Sequence, residues 1–222
     1  MKQTPVHELH NADLLRLMPL ELNNIVEVGC SSGAFAREYK KMNSQCHYIG
    51  IEIDSEYGEL AKRYCDEVII GDIEQFSSDF WANHGNADAW IFSDVLEHLR
   101  DPWACLKKIR EIIPRGGCIL ACIPNVQHWS IQVQISTGNF RYQDIGLLDR
   151  THLRWFTRKT IIELFESTGF GIEELQPRIF DDSRKDQFLT TIKRLASRAC
   201  ADPKEAMMDA LPFQYLIRAT PK

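Results

Sequence analysis

The segment Ile25–Gly33 constrains the fold of this chain more than any other feature. It starts with the apolar run of a buried strand, passes through the carboxylate of Glu27 and ends in glycines and other small residues. A helical pattern begins at Ala34. Small residues let a backbone approach a ligand closely, and the free N–H groups of the next helix point into the same space. Such a strand–loop–helix unit is typical of nucleotide-binding folds, although the loop alone has low specificity.

Two further acidic residues occur in the same setting as this loop. Glu52 ends the next apolar strand pattern, and Asp72 follows the third one. In a parallel sheet the carboxyl ends of the strands meet at one edge, where ligands bind. Three successive strand ends therefore present a small-residue loop and two carboxylates, which predicts a nucleoside pocket.

Strand and helix patterns alternate over the first 123 residues of the chain. The strands are near-continuous apolar runs, as expected when helices cover both faces of a sheet, and the alternation predicts a doubly wound parallel sheet. The predicted strands are 25–28, 47–52, 67–70, 88–92 and 117–123, and the predicted helices are 11–19, 34–42, 55–64, 74–82 and 102–113.

The last third of the chain departs from this alternation. A helix over 158–167, capped by Thr157, precedes a strand over 171–176, then one or two helices over 184–210 broken at Pro203, and a closing strand over 213–219. This order predicts an antiparallel pair added to the parallel sheet. The complete prediction is one α/β domain, residues 1–222, with a Rossmann-like, doubly wound, mostly parallel sheet of seven strands and an antiparallel last strand. Its helical segments 1–22 and 181–212 would form a lid or, equally, a dimer surface.

Composition excludes several classes of protein. The net charge of −5 disfavours a nucleic-acid partner. No apolar run approaches the roughly 20 residues of a membrane span, and Met1–His7 lacks the apolar region of a secretory signal. Seven cysteines, an odd number, are scattered through apolar segments, and Cys118 and Cys122 fall on one face of a strand. We therefore expect buried, reduced thiols and a cytoplasmic protein, either a monomer or a homodimer.

The motifs together resemble those of class I S-adenosylmethionine (SAM)-dependent methyltransferases over essentially the whole chain. Segment 27–33 looks like their first motif, with Ser31 in place of the central glycine, a replacement that suits the loop if Ser31 keeps a negative φ. Segments 94–99 and 114–117 look like those around the fourth and fifth strands. Segment 147–157 resembles a narrower subgroup, similar to the type 11, 12 and 23 methyltransferase domains, that is often encoded with sugar and polysaccharide genes.

The resemblance implies a role for each residue of a SAM site. The loop would pack against the methionine part, with Glu27 near its ammonium group; Glu52 would accept the ribose hydroxyls, and Asp72 the adenine amino group. Alternatively, Glu52 is a surface carboxylate and Asp72 a helix cap, and Asp54 is more typical of a cap for the helix at Ser55. The implied cofactor residues are Glu27, Gly29, Cys30, Ser31, Gly33, Glu52, Ile53, Asp72, Ile73, Ser93 and Asp94.

Methyl transfer to a hydroxyl requires alignment and removal of a proton, for which histidine is suited near neutral pH. His152, on the segment expected to cover the pocket, and His98, just past the fourth strand, are the candidate bases. For each, a structural role is the competing interpretation, and for His98 it is the favoured one. The candidate acceptor-binding residues are Asn125, His128, Trp129 and Arg150.

Two questions of chemistry remain open at this stage. Asp94, Glu97 and His98 resemble a divalent-ion site of methyltransferases of ubiquinone synthesis, but relatives without metal carry the same Glu-His pair, so we predict no metal. The predicted function is methyl transfer from SAM to a small molecule, most simply a sugar hydroxyl. The alternatives are a small aromatic or quinone acceptor, an N-methyl acceptor, a non-catalytic SAM-binding protein and, least favoured, an NAD-dependent oxidoreductase.

Overall fold

Strands and helices alternate along residues 8–222, the part of the chain that the computed structural model describes. Both kinds of element are numbered in chain order. The strands are β1 (Asn24–Val28), β2 (His47–Glu52), β3 (Glu67–Ile70), β4 (Ala89–Ser93), β5 (Cys118–Pro124), β6 (Phe170–Arg178) and β7 (Gln214–Pro221). The helices are α1 (Ala12–Arg16), α2 (Ala34–Met42), α3 (Ser55–Ala61), α4 (Ser78–Asn83), α5 (Pro102–Ile112), α6 (Trp129–Ser136), α7 (Arg158–Ser167), α8 (Lys185–Arg198) and α9 (Pro203–Asp209).

The seven strands form one sheet in the order β3-β2-β1-β4-β5-β7-β6. Strands β1 to β5 pair in parallel, whereas β7 runs antiparallel to both of its neighbours, β5 and β6. The chain leaves β1 toward β2 and β3, and then returns to β4 on the other side of β1. In open α/β sheets, ligands bind outside the carboxyl ends of the strands at such a reversal. The predicted fold class is confirmed, including the antiparallel last strand.

The core lies on both faces of the sheet, as the apolar strands predict. Along β4, Trp90 and Phe92 point into the cluster beneath α4, α5 and α7, while Ala89 and Ile91 point into the cluster beneath α1, α2 and α3. All four are fully buried. This alternation follows from the two-residue period of a strand, and each large apolar side chain buried in this way contributes about 1.5–3 kcal/mol to folding.

Several element boundaries differ from the prediction. The pattern predicted as one helix over 74–82 forms a 3-10 turn, Ile73–Gln75, followed by α4. α1 and α3 are shorter than predicted, and α6 was not predicted. The predicted cap Asp54 is confirmed, because it accepts the Glu56 N–H at 2.9 Å, and Asn11 caps α1 by accepting the Leu14 N–H at 3.1 Å.

The helices α8 and α9 pack against α6 through an apolar cluster of their own. Arg158 joins this unit to α7 by pairing with Glu205 at 2.5 Å and Asp209 at 2.7 Å. No residue from 181 to 212 lines the large cavity described below. The segment 181–212 thus packs on α6 and α7, and its role as a lid or a dimer surface stays a prediction.

The helices and the cysteine side chains can be compared with the predictions made from composition. No helix within residues 8–222 combines the length and the apolar character needed to cross a bilayer. The predicted lack of a signal at Met1–His7 lies outside the described residues. Six cysteines are buried and unpaired, and Cys118 and Cys122 share one core cluster. Cys200 is exposed because it lies in the turn between α8 and α9, which corrects the expectation for that residue.

Candidate active site

A cavity of about 750 Å³ opens at the carboxyl ends of β1 to β4. We call it the main cavity. Its size lies within the range of about 300–1,000 Å³ that small-molecule sites occupy. Ten of the eleven predicted cofactor residues line it: Glu27, Gly29, Cys30, Ser31, Glu52, Ile53, Asp72, Ile73, Ser93 and Asp94.

The loop after β1 is held in an unusual backbone conformation. Gly29, Ser31 and Gly33 have φ values of 72°, 48° and 76°. The expectation that Ser31 keeps a negative φ is therefore wrong, since the serine adopts the left-handed conformation that glycine usually provides. The Glu52 carboxylate holds this conformation by accepting the Ser31 N–H at 2.8 Å.

Gly33 is the predicted cofactor residue that lies outside the cavity lining. A Cβ atom there would come within 3.1 Å of the Ala61 Cα and 3.2 Å of its carbonyl oxygen. The glycine thus lets the first turn of α2 pack directly on the last residue of α3. Close packing therefore accounts for the glycine, and its contact with the cofactor stays a prediction.

The Glu27 carboxyl lies beneath the same loop and already has a partner. It is 3% exposed and accepts the Tyr48 hydroxyl at 2.9 Å. Burial raises the pKa of the Glu27 carboxyl well above its usual range. Glu27 also lines the main cavity, and its contact with the methionine part of SAM stays a prediction.

Glu52 and Asp72 lie at successive strand ends and face the cavity. Glu52 is 5% exposed, which excludes the alternative of a surface carboxylate. Asp72 is also a cap, because it accepts the Glu74 N–H at 3.0 Å, and it pairs with Arg100 at 2.5 Å. Asp72 therefore caps a helical turn and lines the cavity at the same time. Arg100 holds its carboxylate at the cavity wall.

Asp94 follows β4 with a φ of 58°, a value that is uncommon for any residue but glycine. Its carboxylate accepts the Gln214 side-chain N–H and lies 3.7 Å from the Cys122 Sγ. Burial raises the pKa of the Asp94 carboxyl to about 6. A strained backbone that aims a carboxyl into a cavity is a feature of functional sites.

Three side chains beyond Asp94 meet at the far wall of the main cavity: Glu97, His98 and His152, which we call the Glu-His cluster. The two imidazole rings are 4.8 Å apart between centroids, and the His152 Nε2 lies 3.9 Å from a Glu97 carboxyl oxygen. Burial lowers the pKa of His98 and lowers that of His152 to about 4, where the neighbouring His98 adds to the effect. Both candidate bases thus lie together at the cavity.

Comparison with known proteins identifies the family. A family model described as a methyltransferase domain matches residues 6–175, more than half of the chain. The chain belongs to the methyltransferase domain family. The predicted family and enzyme class are thereby confirmed, and the oxidoreductase alternative is excluded. No curated protein matches the methyltransferase in sequence.

Solved structures similar to the methyltransferase are distant in sequence and close in fold. A Haloferax volcanii protein solved with the Trm112 methyltransferase activator has 18% identity and a TM-score of 0.61, over 95% of this chain and 88% of that one. Magnesium protoporphyrin IX methyltransferase from Synechocystis, with bound S-adenosylhomocysteine (SAH), has 13% identity and a TM-score of 0.60, over 95% and 80%.

An O-methyltransferase of neocarzinostatin biosynthesis, solved with SAH and 1,4-dihydroxy-2-naphthoic acid, is a third similar structure. It has 12% identity and a TM-score of 0.57, over 95% of this chain and 52% of that one. The family match and the ligands of these structures support SAM as the cofactor, as the sequence predicts.

The predicted acceptor-binding residues lie away from the main cavity. Asn125 is fully buried, and its amide donates to the carbonyls of Asp209 and Pro212, both at 2.8 Å. The Trp129 ring is stacked on Phe188 at 5.4 Å. Arg150 pairs with Asp144 at 2.7 Å on the surface. These contacts occupy the three side chains outside the cavity lining of the methyltransferase, and their acceptor-binding roles stay predictions.

His128 is also part of this packing rather than of the cavity. It is 7% exposed, and its Nδ1 lies 2.8 Å from the Ser130 hydroxyl at the start of α6. Burial lowers the pKa of His128 to about 4, against a weaker opposing effect of Asp182. A neutral ring suits the site because only a neutral ring retains a nitrogen that accepts a hydrogen bond.

We expect His128 to make the methyltransferase less stable in acid. The unfolded chain binds the proton near the ordinary pKa of 6.5, whereas the folded chain does so only near 4, so stability falls as the pH falls between these values. The loss attributable to His128 is about 2 kcal/mol on going from pH 7 to pH 5. Urea unfolding at both pH values measures it: His128→Gln should show a smaller loss than the wild type, and the exposed control His47→Gln the same loss. Equal losses in all three proteins would refute the assignment.

Several residues that line the main cavity were not predicted from the sequence. Leu9, His10 and Asn11 reach the main cavity from the segment before α1, and Arg178, Phe213 and Gln214 reach it from the β6–β7 side. The first three carry no motif. The others lie at the ends of β6 and β7, and the sequence pattern does not show which side chains at these ends face the cavity.

Proposed function

We propose that this methyltransferase transfers the methyl group of SAM to a hydroxyl group of a small molecule, most simply a sugar or sugar-linked intermediate. One observation carries the proposal. The loop, Glu52 and Asp72, which we expect to bind the nucleoside, line the same cavity as the Glu-His cluster. A single cavity would thus hold the cofactor next to the acceptor.

The chain's own residues account for binding of the cofactor. The left-handed loop and the carboxylates of Glu52 and Asp72 form a wall with acceptor oxygens and an apolar surface from Ile53 and Ile73. Adenine and ribose present donors, so carboxylates at two strand ends complement them. SAM supplies a methyl group on a positively charged sulfur, which leaves as a neutral thioether.

The polar groups of the Glu-His cluster support a hydroxyl group as the methyl acceptor. An oxygen acceptor must lose its proton as the O–C bond forms and the S–C bond breaks, and the Glu-His cluster offers proton-accepting groups beside the cavity. We expect His152 and His98 to contact this hydroxyl. The O-methyltransferase of neocarzinostatin biosynthesis favours an aromatic hydroxyl as the second candidate acceptor.

A transfer assay with radiolabelled SAM tests the proposal. The acceptor panel contains nucleotide sugars, dihydroxynaphthoic acid as the aromatic alternative and an amine for N-methylation. We expect label in a hydroxyl product and a loss of about 10²-fold to 10⁴-fold in kcat for His152→Ala, the range typical of groups that assist proton transfer. The exposed variant His47→Ala serves as the control. Label found only in the amine product, or full activity of His152→Ala, would contradict the proposal.

A further inference from the structure

Glu97 has a buried carboxyl group that nothing in the protein satisfies. The side chain is 1% exposed, and within residues 8–222 neither of its oxygens has a hydrogen-bond partner. The nearest imidazole nitrogen, the His152 Nε2, is 3.9 Å away and beyond hydrogen-bond range. A buried carboxyl without partners is costly, and an ion bound at the site is one of the few explanations for such a group in a native structure.

The backbone fixes Glu97 to the segment that carries His152. Its carbonyl oxygen accepts the N–H groups of Leu153 and Arg154, both at 2.9 Å. One donor atom from each of Glu97, His98 and His152 lies within 4.8 Å of the others. Ligand atoms around a tetrahedral ion with bonds of about 2.1 Å are about 3.4 Å apart, so small side-chain rotations would close the cluster around an ion.

Both imidazole rings are held in the orientation of a metal ligand. The His98 Nδ1 lies 3.2 Å from the Thr151 carbonyl oxygen, and the His152 Nδ1 lies 3.3 Å from the Leu147 carbonyl oxygen. A carbonyl oxygen only accepts, so Nδ1 carries the hydrogen in each ring and Nε2 keeps its lone pair. Metal-binding histidines show this arrangement, in which the second nitrogen donates to a carbonyl or carboxylate.

A further hydrogen bond extends this support away from the cluster. Thr151 donates its hydroxyl to the Asp149 carboxylate at 2.6 Å, and the same hydroxyl oxygen lies 3.1 Å from the His98 Nδ1. Asp149 also accepts the Thr151 N–H at 2.8 Å. The segment 147–152 therefore orients both rings: it carries the His152 ring itself, and its residue Thr151 contacts the His98 ring.

We propose that Glu97, His98 and His152 bind a divalent transition-metal ion at the far wall of the main cavity. Two imidazoles and one carboxylate suit Zn²⁺, Mn²⁺ or Fe²⁺ better than Mg²⁺ or Ca²⁺, which prefer oxygen ligands alone. Three protein ligands leave positions open on the cavity side. The site differs from the metal-free one predicted from the sequence, and Asp94, whose carboxylate contacts Gln214 and Cys122, is not one of its ligands.

The ion would deepen the proposed function, on which this part of the inference rests. It would bind an oxygen of the acceptor and lower the pKa of the hydroxyl. The hydroxyl would release its proton to water as the O–C bond forms and the S–C bond breaks. The two histidines would then act as ligands, and their replacement would remove the ion.

Metal content and metal binding test the inference without reference to activity. We would strip the full chain with a chelator and titrate it with Mn²⁺, Zn²⁺ and Mg²⁺ by calorimetry, in a Cys200→Ser background because that exposed thiol also binds Zn²⁺. We expect one equivalent of Mn²⁺ or Zn²⁺ to bind, at least tenfold more tightly than Mg²⁺, and Glu97→Gln and His152→Asn to weaken binding by at least 100-fold. His47→Gln is the control.

A second measurement covers variants that fold poorly. Binding to the folded chain alone raises Tm, so the wild type should gain thermal stability from added Mn²⁺ while folded Glu97→Gln should not. The inference is overturned if the wild type binds no stoichiometric ion, or if Glu97→Gln binds it equally well. Hydroxyl methylation that persists in a chelator would reject the metal site and leave the proposed function intact, whereas metal binding without hydroxyl methylation would do the reverse.

Discussion

Replacing Glu52 with alanine is expected to abolish measurable binding of SAM and SAH at micromolar concentrations. The variant loses the groups that face the ribose position, and it leaves the N–H groups of Ser31 and Asp54 without the acceptors they have at 2.8 and 2.9 Å. Hydrogen bonds to charged groups contribute about 1.5–3 kcal/mol each. A total loss of about 3 kcal/mol corresponds to a decrease of about 100-fold in affinity.

Calorimetric titration with SAH measures this effect, and Glu59→Ala is the matched control. Glu59 is exposed on α3 and pairs with the side chain of Lys62, so its removal should leave the Kd unchanged. Glu52→Gln should fall between the two because its amide keeps one acceptor oxygen. An unchanged Kd for Glu52→Ala would show that the nucleoside does not occupy this strand end.

Trp129→Ala should lower the free energy of unfolding by about 3–5 kcal/mol, as truncation of a buried aromatic side chain typically does. The indole is 6% exposed, is stacked on Phe188 and packs against Leu189 and Ala210. Its loss would open a hole between α6 and the α8–α9 unit. Urea unfolding followed by circular dichroism measures the change.

A second tryptophan provides the comparison for this prediction. Trp155 is 38% exposed and contacts the Phe140 ring at 6.5 Å, so Trp155→Ala should cost about 1 kcal/mol or less. Folded Trp129→Ala should bind SAH as the wild type does, because Trp129 does not line the main cavity. Normal stability of Trp129→Ala combined with lost turnover would instead support the stacking role first predicted for this residue.

The sheet was predictable from the sequence because its signals are local. Each parallel strand is an apolar run bounded by polar or small residues, and the caps at Asp54 and Thr157 were also predicted from neighbouring residues. Helix α6 was not predicted from such local signals. Its apolar residues Trp129, Ile131, Val133 and Ile135 alternate with polar ones, a pattern typical of a strand. The helix forms because Trp129 and Val133 pack on α8 and α9, a contact between distant parts of the chain.

The candidate site also has a part that was predictable from the sequence and a part that was not. Glu52 and Asp72 were predictable, since strand ends of a parallel sheet converge at one edge whatever the loops do. The acceptor side was not, because residues after β5 follow an irregular path in which Asn125 and Trp129 turn into the packing of α9 and α8. His98 and His152 were identified singly as candidate bases. That they meet at Glu97 depends on backbone hydrogen bonds between segments more than 50 residues apart along the chain, such as the one from Leu153 to Glu97.

The position of β7 between β5 and β6 has a consequence for how the protein is made. Strands β1 to β5 each find a neighbour among strands synthesised earlier or soon after, whereas β6 pairs with β7 alone. While residues 179–213 are being translated, β6 has no partner and the free edge of β5 stays exposed. A nascent chain paused in this interval carries the unpaired edge of β5 and the unpaired strand β6, which are sites of aggregation. When β7 is inserted, it pairs with β5 on one side and with β6 on the other. The last strand to pair therefore completes the sheet from an interior position.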